Sequence, residues 1–165
     1  MKTPNIDSKQ GTWICDTCGQ IIAKAKDGWI EWLERKEGEK FKGRGLRLVH
    51  AYPASPRQPG RCQYDGQREF QENQSTISDL DLESYLGPDG LTDLLSYIGE
   101  GQLPNLPTEE VLEMIKRLHV PGYEHARDHF EAAIREGVFE PNRPKGFYPT
   151  VDIEATLAFV KEEGE

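Results

Sequence analysis

The spacing of apolar positions changes near residue 79. Before it they come in short clusters: Trp13-Ile14, Ile21-Ile22, Trp29-Ile30 with Trp32-Leu33, then Leu46, Leu48 and Val49. Brief apolar runs bounded by glycine and polar residues predict short strands. Asp27-Gly28 reads as a turn opening a strand over 29–34. Residues 46–50 read as the return strand, with Leu46, Leu48 and His50 on one face and Arg47 and Val49 on the other. Residues 35–45 between them hold Lys36, Lys40, Lys42 and Arg44 with Gly38, Gly43 and Gly45, which predicts a mobile hairpin loop. Residues 1–11 are polar and expected to fray. Three prolines and a glycine within 53–61 predict a loop leading to Cys62.

After residue 79 the period becomes helical. Leu80, Leu82, Tyr85 and Leu86 precede a turn signal, Gly87-Pro88-Asp89-Gly90, and Leu91, Leu94, Leu95 and Ile98 follow at helical spacing until Gly99 and Gly101. A Pro-rich connector, 102–107, leads to Thr108, a good N-cap with Glu109 and Glu110 in the first turn. Val111, Leu112, Ile115 and Leu118 form one stripe. Val120-Pro121-Gly122 breaks that helix, and a second is predicted over 123–137. A closing helix is predicted over 152–160. Residues 65–78 are polar, rich in Gln and Asn, and read as a linker or long loop. The fold class is therefore α+β: a β module over 12–64 and a helical half over 79–165. The two are expected to share one core, because a module of about 50 residues buries little apolar surface alone. Trp29 or Trp32 is expected to lie buried against a helix from 80–134.

Composition narrows the function classes. The chain has 165 residues, 36% hydrophobic and 30% charged, with a formal net charge of −9. Residues 1–70 carry 13 Lys/Arg against 9 Asp/Glu, or +4. Residues 71–165 carry the remaining 7 against 20, or −13. Only the N-terminal half is suited to touch nucleic acid, because the acidic half would repel a phosphate backbone. No run approaches 18 apolar residues, so no membrane span is expected, and the first residues lack the apolar stretch of a signal peptide. Three cysteines, two of them in a CxxC, fit a reducing cytoplasm and a metal better than a disulfide framework.

Cys15-Asp16-Thr17-Cys18-Gly19 brings two thiolates to one tight turn, where the glycine permits the positive φ that such a turn needs. With Trp13-Ile14 and Ile21-Ile22 on either side, residues 13–22 resemble the knuckle of zinc-ribbon and treble-clef proteins. Those families take a second ligand pair from after a β-hairpin, which implies His50 and Cys62 here. The spacing H-x11-C departs from their close C-x2-C. The expected centre is thus a zinc ion held by Cys15, Cys18, His50 and Cys62, and closed four-ligand sites are structural. Three alternatives compete with it. A thioredoxin-like redox pair would want a helix that Asp27-Gly28 ends too early. The cysteines could be unrelated buried residues. Leu48-Val49-His50 superficially resembles the general-base strand of ββα-metal nucleases, without their remaining ligands.

In the helical half His125 and His129, at i and i+4, are candidates for a second metal site, although no HExxH or Glu ligand pattern accompanies them. The other account is a solvated helix face. The pair of helices around Val120-Pro121-Gly122 has the wrong charge for a DNA-reading helix-turn-helix. There is no P-loop and no G-x-S-x-G. The expected function is a non-enzymatic zinc-containing adaptor or regulatory protein that binds another macromolecule, a protein. The alternatives are nucleic-acid binding through Lys40, Lys42, Arg44 and Arg47 with Trp29 or Trp32 stacking, and a metal-dependent hydrolase or nuclease.

Overall fold

A computed structural model describes residues 11–57, 61–99 and 104–164. The expectations for residues 1–10, for Pro59 and Gly60, for Gly101 and for the start of the 102–107 connector lie outside the described residues. The fold is α+β. Strand β1 (Trp13–Ile14) pairs antiparallel with β2 (Ile21–Ile22). A separate three-stranded sheet has β3 (Gly28–Glu37) at its centre, flanked by β4 (Lys40–His50) and β5 (Thr76–Asp81), all antiparallel.

The 35–45 segment is strand, not loop. Strand β3 continues to Glu37 and β4 restarts at Lys40, leaving Gly38 (φ 66°) and Glu39 to make the turn. The basic residues that read as loop composition sit in cross-strand register around Glu37, which pairs with Arg35 at 3.0 Å and Lys42 at 4.0 Å. Register shifts once, between Glu31 and Leu33, where Gly45 and Leu46 both face Trp32. Gly45 has φ 69°, the left-handed residue of a bulge. Glu110 accepts from the backbone N–H of Gly45 at 3.3 Å and of Leu46 at 3.0 Å, so the donors freed by the bulge are satisfied.

Residues 65–78, expected as a linker, instead hold helix α1 (Gly66–Asn73) and most of β5. Helix α1 buries no side chain and carries no apolar stripe for periodicity to detect. It is held locally: Asp65 caps the Arg68 N–H, Arg68 pairs with Glu72 at i,i+4, and Gln74 closes it in the left-handed conformation. The helix expected from Asp79 is also corrected. Residues 79–81 finish β5, and Leu82–Tyr85 is one 3₁₀ turn. The Gly87-Pro88 signal is the start of helix α2 (Gly87–Ser96), with Pro88 in its first turn, where its missing N–H costs nothing.

The chain divides into two compact units, with the boundary after His119. In Gly11–His119, helix α3 (Thr108–His119) and α2 share one core with the strands: Ile30, Trp32, Leu48, Leu94, Val111 and Met114 belong to a single cluster. Trp32 is 7% exposed, its ring 6.2 Å from that of Tyr97 at the end of α2. Residues from 120 onward form their own core of Tyr123, Ala126, Phe130 and Ile153. The division therefore falls between two helices rather than at 65–78. In this second unit the helix expected over 123–137 is broken into α4 (Tyr123–Ala126), a 3₁₀ turn and α5 (Phe130–Arg135). Helix α6 (Thr150–Glu163) extends the closing helix by a turn.

Candidate metal centre

The knuckle is a tight turn between β1 and β2. Cys15 N–H donates to the Gln20 carbonyl at 2.9 Å and Gly19 N–H returns to the Cys15 carbonyl at 2.9 Å, with Gly19 at φ 72°. The turn is then docked on the outer edge of β4. Asp16 N–H donates to the Leu48 carbonyl, and Leu48 N–H donates to Asp16 Oδ2, both at 2.8 Å. This register delivers the end of β4, and so His50, to the two thiols.

Cys62 arrives from the loop after β4. Its carbonyl accepts from Thr17 Oγ1 at 2.6 Å and from Arg47 Nη2 at 3.1 Å, and its Sγ lies 3.1 Å from Ser55 Oγ. The donor atoms of Cys15, Cys18, His50 and Cys62 all lie within 4.8 Å of one another. His50 Nδ1 is 3.5 Å from Cys18 Sγ and 3.8 Å from Cys62 Sγ. A tetrahedral zinc with Zn–S of about 2.3 Å and Zn–N of about 2.0 Å sets adjacent sulfur and nitrogen corners about 3.5 Å apart. His50 Nε2 lies 3.2 Å from the Ile21 carbonyl, an acceptor that places the ring proton on Nε2 and leaves Nδ1 facing the cysteine sulfurs. The four residues fit a metal ion. Three of them are closed from solvent, Cys15 at 1%, Cys62 at 0% and His50 at 5% exposure.

The thiols differ in their electrostatics. Burial alone would raise Cys15, but backbone hydrogen bonds at Cys18, His50 and Thr17 outweigh it and bring the thiol down to about 7. Burial pushes Cys62 up to about 11, reinforced by the charge of Cys15 and opposed by Ser55. A bound cation would offset the burial penalty on the Cys62 thiolate.

Two ion pairs, each with one partner buried, support the centre, and neither was singled out in the sequence. Arg117 of α3, 5% exposed, donates to Asp16 Oδ2 at 2.7 Å and to the Ile14 carbonyl at 3.0 Å. It ties the knuckle to the helical layer. Glu31, fully buried, accepts from Arg47 Nε and from Tyr64 N–H, each at 2.9 Å, while the Arg47 guanidinium lies 3.4 Å from the Tyr64 ring centre. The signal for these was weak: a single Arg in a last helical turn and a lone Glu inside an apolar strand.

Of the basic residues proposed for nucleic acid, the structure turns Arg47 inward onto Glu31 and the Cys62 carbonyl, because a fully buried carboxylate demands a counter-charge. Arg44 donates to Ser75 Oγ at 3.1 Å. Lys40 and Lys42 remain exposed, and Phe41, 49% exposed, lies between them on the opposite strand face. Trp32 is buried and Trp29 half-buried, so neither is presented for stacking. His125 lies in α4 and His129 in the following 3₁₀ turn, one half-buried and the other exposed. They do not form a second centre: among the described residues the only group of three or more candidate metal donors is the Cys15, Cys18, His50 and Cys62 cluster. No helix there is long and apolar enough to cross a membrane. No family model, no curated protein and no solved structure matches the chain.

Proposed function

We propose that the protein is a non-enzymatic binding protein in which a structural zinc ion holds the β strands and the knuckle together, and that its partner is another protein. The observation that supports the structural role is the Cys3His cluster: four protein donors are enough to fill a tetrahedral shell, whereas catalytic zinc keeps one position for water or substrate. The knuckle's resemblance to zinc-ribbon and treble-clef turns points the same way. What favours a protein partner over nucleic acid is the commitment of Arg47 and Arg44 to internal contacts and the separation of Phe41 from the lysines beside it. Purified protein is expected to carry about one zinc per chain by metal analysis. Cys15→Ser and Cys18→Ser are each expected to lose it and to unfold the region around the site. Metal-free protein of unchanged melting temperature would refute the structural role. For the partner class, wild-type protein is expected to bind neither duplex nor single-stranded DNA at moderate salt. Submicromolar, salt-dependent binding abolished by charge reversal at Lys40 and Lys42 would overturn it.

A further inference from the structure

Strand β5 closes the three-stranded sheet on one side, and its outer edge receives no backbone hydrogen bond from another described segment. Natural edge strands are guarded by Lys, Pro, a bulge or very short length. Thr76-Ile77-Ser78-Asp79-Leu80-Asp81 has no Lys, Pro or bulge; its charged residues are Asp79 and Asp81, which guard the edge against acidic segments and not against basic ones, and it pairs with β3 over all six residues without a register shift. The side chains that cross the sheet at this edge form rows. On one face Arg47, Glu31 and Asp79 stand side by side, an order of one cation and two carboxylates that ends with Asp79 exposed. On the other face Leu48, Ile30 and Leu80 stand side by side, an apolar row that begins fully buried and ends with Leu80 at 40% exposure. Both rows stop one residue short of completion. Among the described residues no cation pairs with Asp79 and Leu80 is not covered by the core cluster.

We infer that the outer edge of β5 is a docking site for an extended segment of a partner protein, which adds as a fourth strand. The segment carries a Lys or Arg opposite Asp79, with apolar residues on either side of it in sequence. The proposal rests on the protein-binding function above and names its surface. Main-chain hydrogen bonds supply the affinity of such strand addition and the alternating side chains supply the selectivity. A cation opposite Asp79 relieves the two neighbouring carboxylates, and the adjacent residue, pointing to the opposite face, covers Leu80. The charge excludes an acidic segment.

The test uses the full-length zinc-loaded protein and a synthetic probe, acetyl-Thr-Ile-Thr-Val-Lys-Val-amide, with its Lys→Glu counterpart. The Lys probe is expected to bind saturably and to protect the backbone amides of 76–81 from hydrogen exchange, with the Glu probe several-fold weaker. Leu80→Lys places a guard on the edge at an exposed position and is expected to weaken binding about tenfold or more. Asp79→Lys is expected to invert the preference between the two probes, a result that general destabilisation cannot produce. No saturable binding up to about 1 mM, or protection that falls on other residues, overturns the assignment of this edge. In the second case binding of a protein segment survives and only its location is refuted. Zinc-free protein that binds the probe unchanged would refute the structural metal and leave the edge standing. Concentration-dependent dimerisation through β5 that the probe does not displace would show a second copy to be the occupant and also overturns the proposal.

Discussion

Glu31 and Arg47 are the residues whose chemistry is most constrained by position. The Glu31 carboxyl is pushed up from its ordinary 4.5 by burial, against the pull of the Arg47 guanidinium, and its Oε2 has no hydrogen-bond partner. A carboxyl raised on folding contributes stability below its unfolded value and loses it as pH rises through the folded value. The stability of wild type minus that of Glu31→Gln is therefore expected to fall as pH rises from about 4.5 toward neutrality. Both proteins keep the same four candidate metal donors, so the difference isolates Glu31, and denaturant titration at several pH values measures it. A difference that grows with pH would reverse the assigned sign. Arg117 makes the complementary case. Arg117→Ala removes the ion pair to Asp16 and the hydrogen bond to the Ile14 carbonyl, at an expected cost of roughly 2–4 kcal/mol. If chemical denaturation shows less than half a kcal/mol of change, Arg117 is not what joins knuckle to helix.

At the level of elements, the β3–β4 ribbon depends on one bulge and one helix. Gly45 occupies the left-handed region, and a Cβ placed there would lie 2.6 Å from Tyr64 Oη, whose hydroxyl donates to the Gly45 carbonyl. Gly45→Ala is expected to cost about 2 kcal/mol, from backbone strain together with displacement of Tyr64. A Gly45→Ala protein with wild-type stability would mean that the bulge relaxes without loss. Glu110 was legible only as an acidic residue favourable to the start of α3. Its side chain instead reaches the bulge, joining helix and ribbon by two charge-assisted hydrogen bonds. Helix α1 shows the converse: its capping signals were present in Asp65 and the Arg68/Glu72 spacing, but a helix that buries nothing leaves no apolar period.

Across the whole molecule, zinc is expected to matter unequally. The metal donors and the larger core lie within Gly11–His119, whereas the residues after 120 have an aromatic core of their own around Phe130. Chelation is expected to abolish amide protection in the strands and in α3 while leaving Phe130 and Ile153 protected, as exchange mapping would reveal. Uniform loss of protection would contradict separate cores. Acid should act as chelation does. Thiolates and a neutral imidazole are needed to bind metal, so zinc release is expected as pH falls, followed by metal analysis after dialysis.

The sequence by itself determined the CxxC turn, the two strands of the hairpin and the α+β class, while the structure brought His50 and Cys62 to the two cysteines. Each of the first three rests on short-range chemistry: two cysteines in a turn, an apolar alternation, a helical period. The tertiary structure decided which polar residues were inside. Arg47, Arg117, Glu31 and Glu110 carry the same charges in the sequence as Lys40 or Glu109, and only the packing of strand on knuckle and helix on bulge separates them. It also decided the boundary after His119 and the place of β5. A strand of alternating polar and apolar residues acquires its position from the partner edge it meets, and that edge, on β3, lies more than forty residues earlier in the chain.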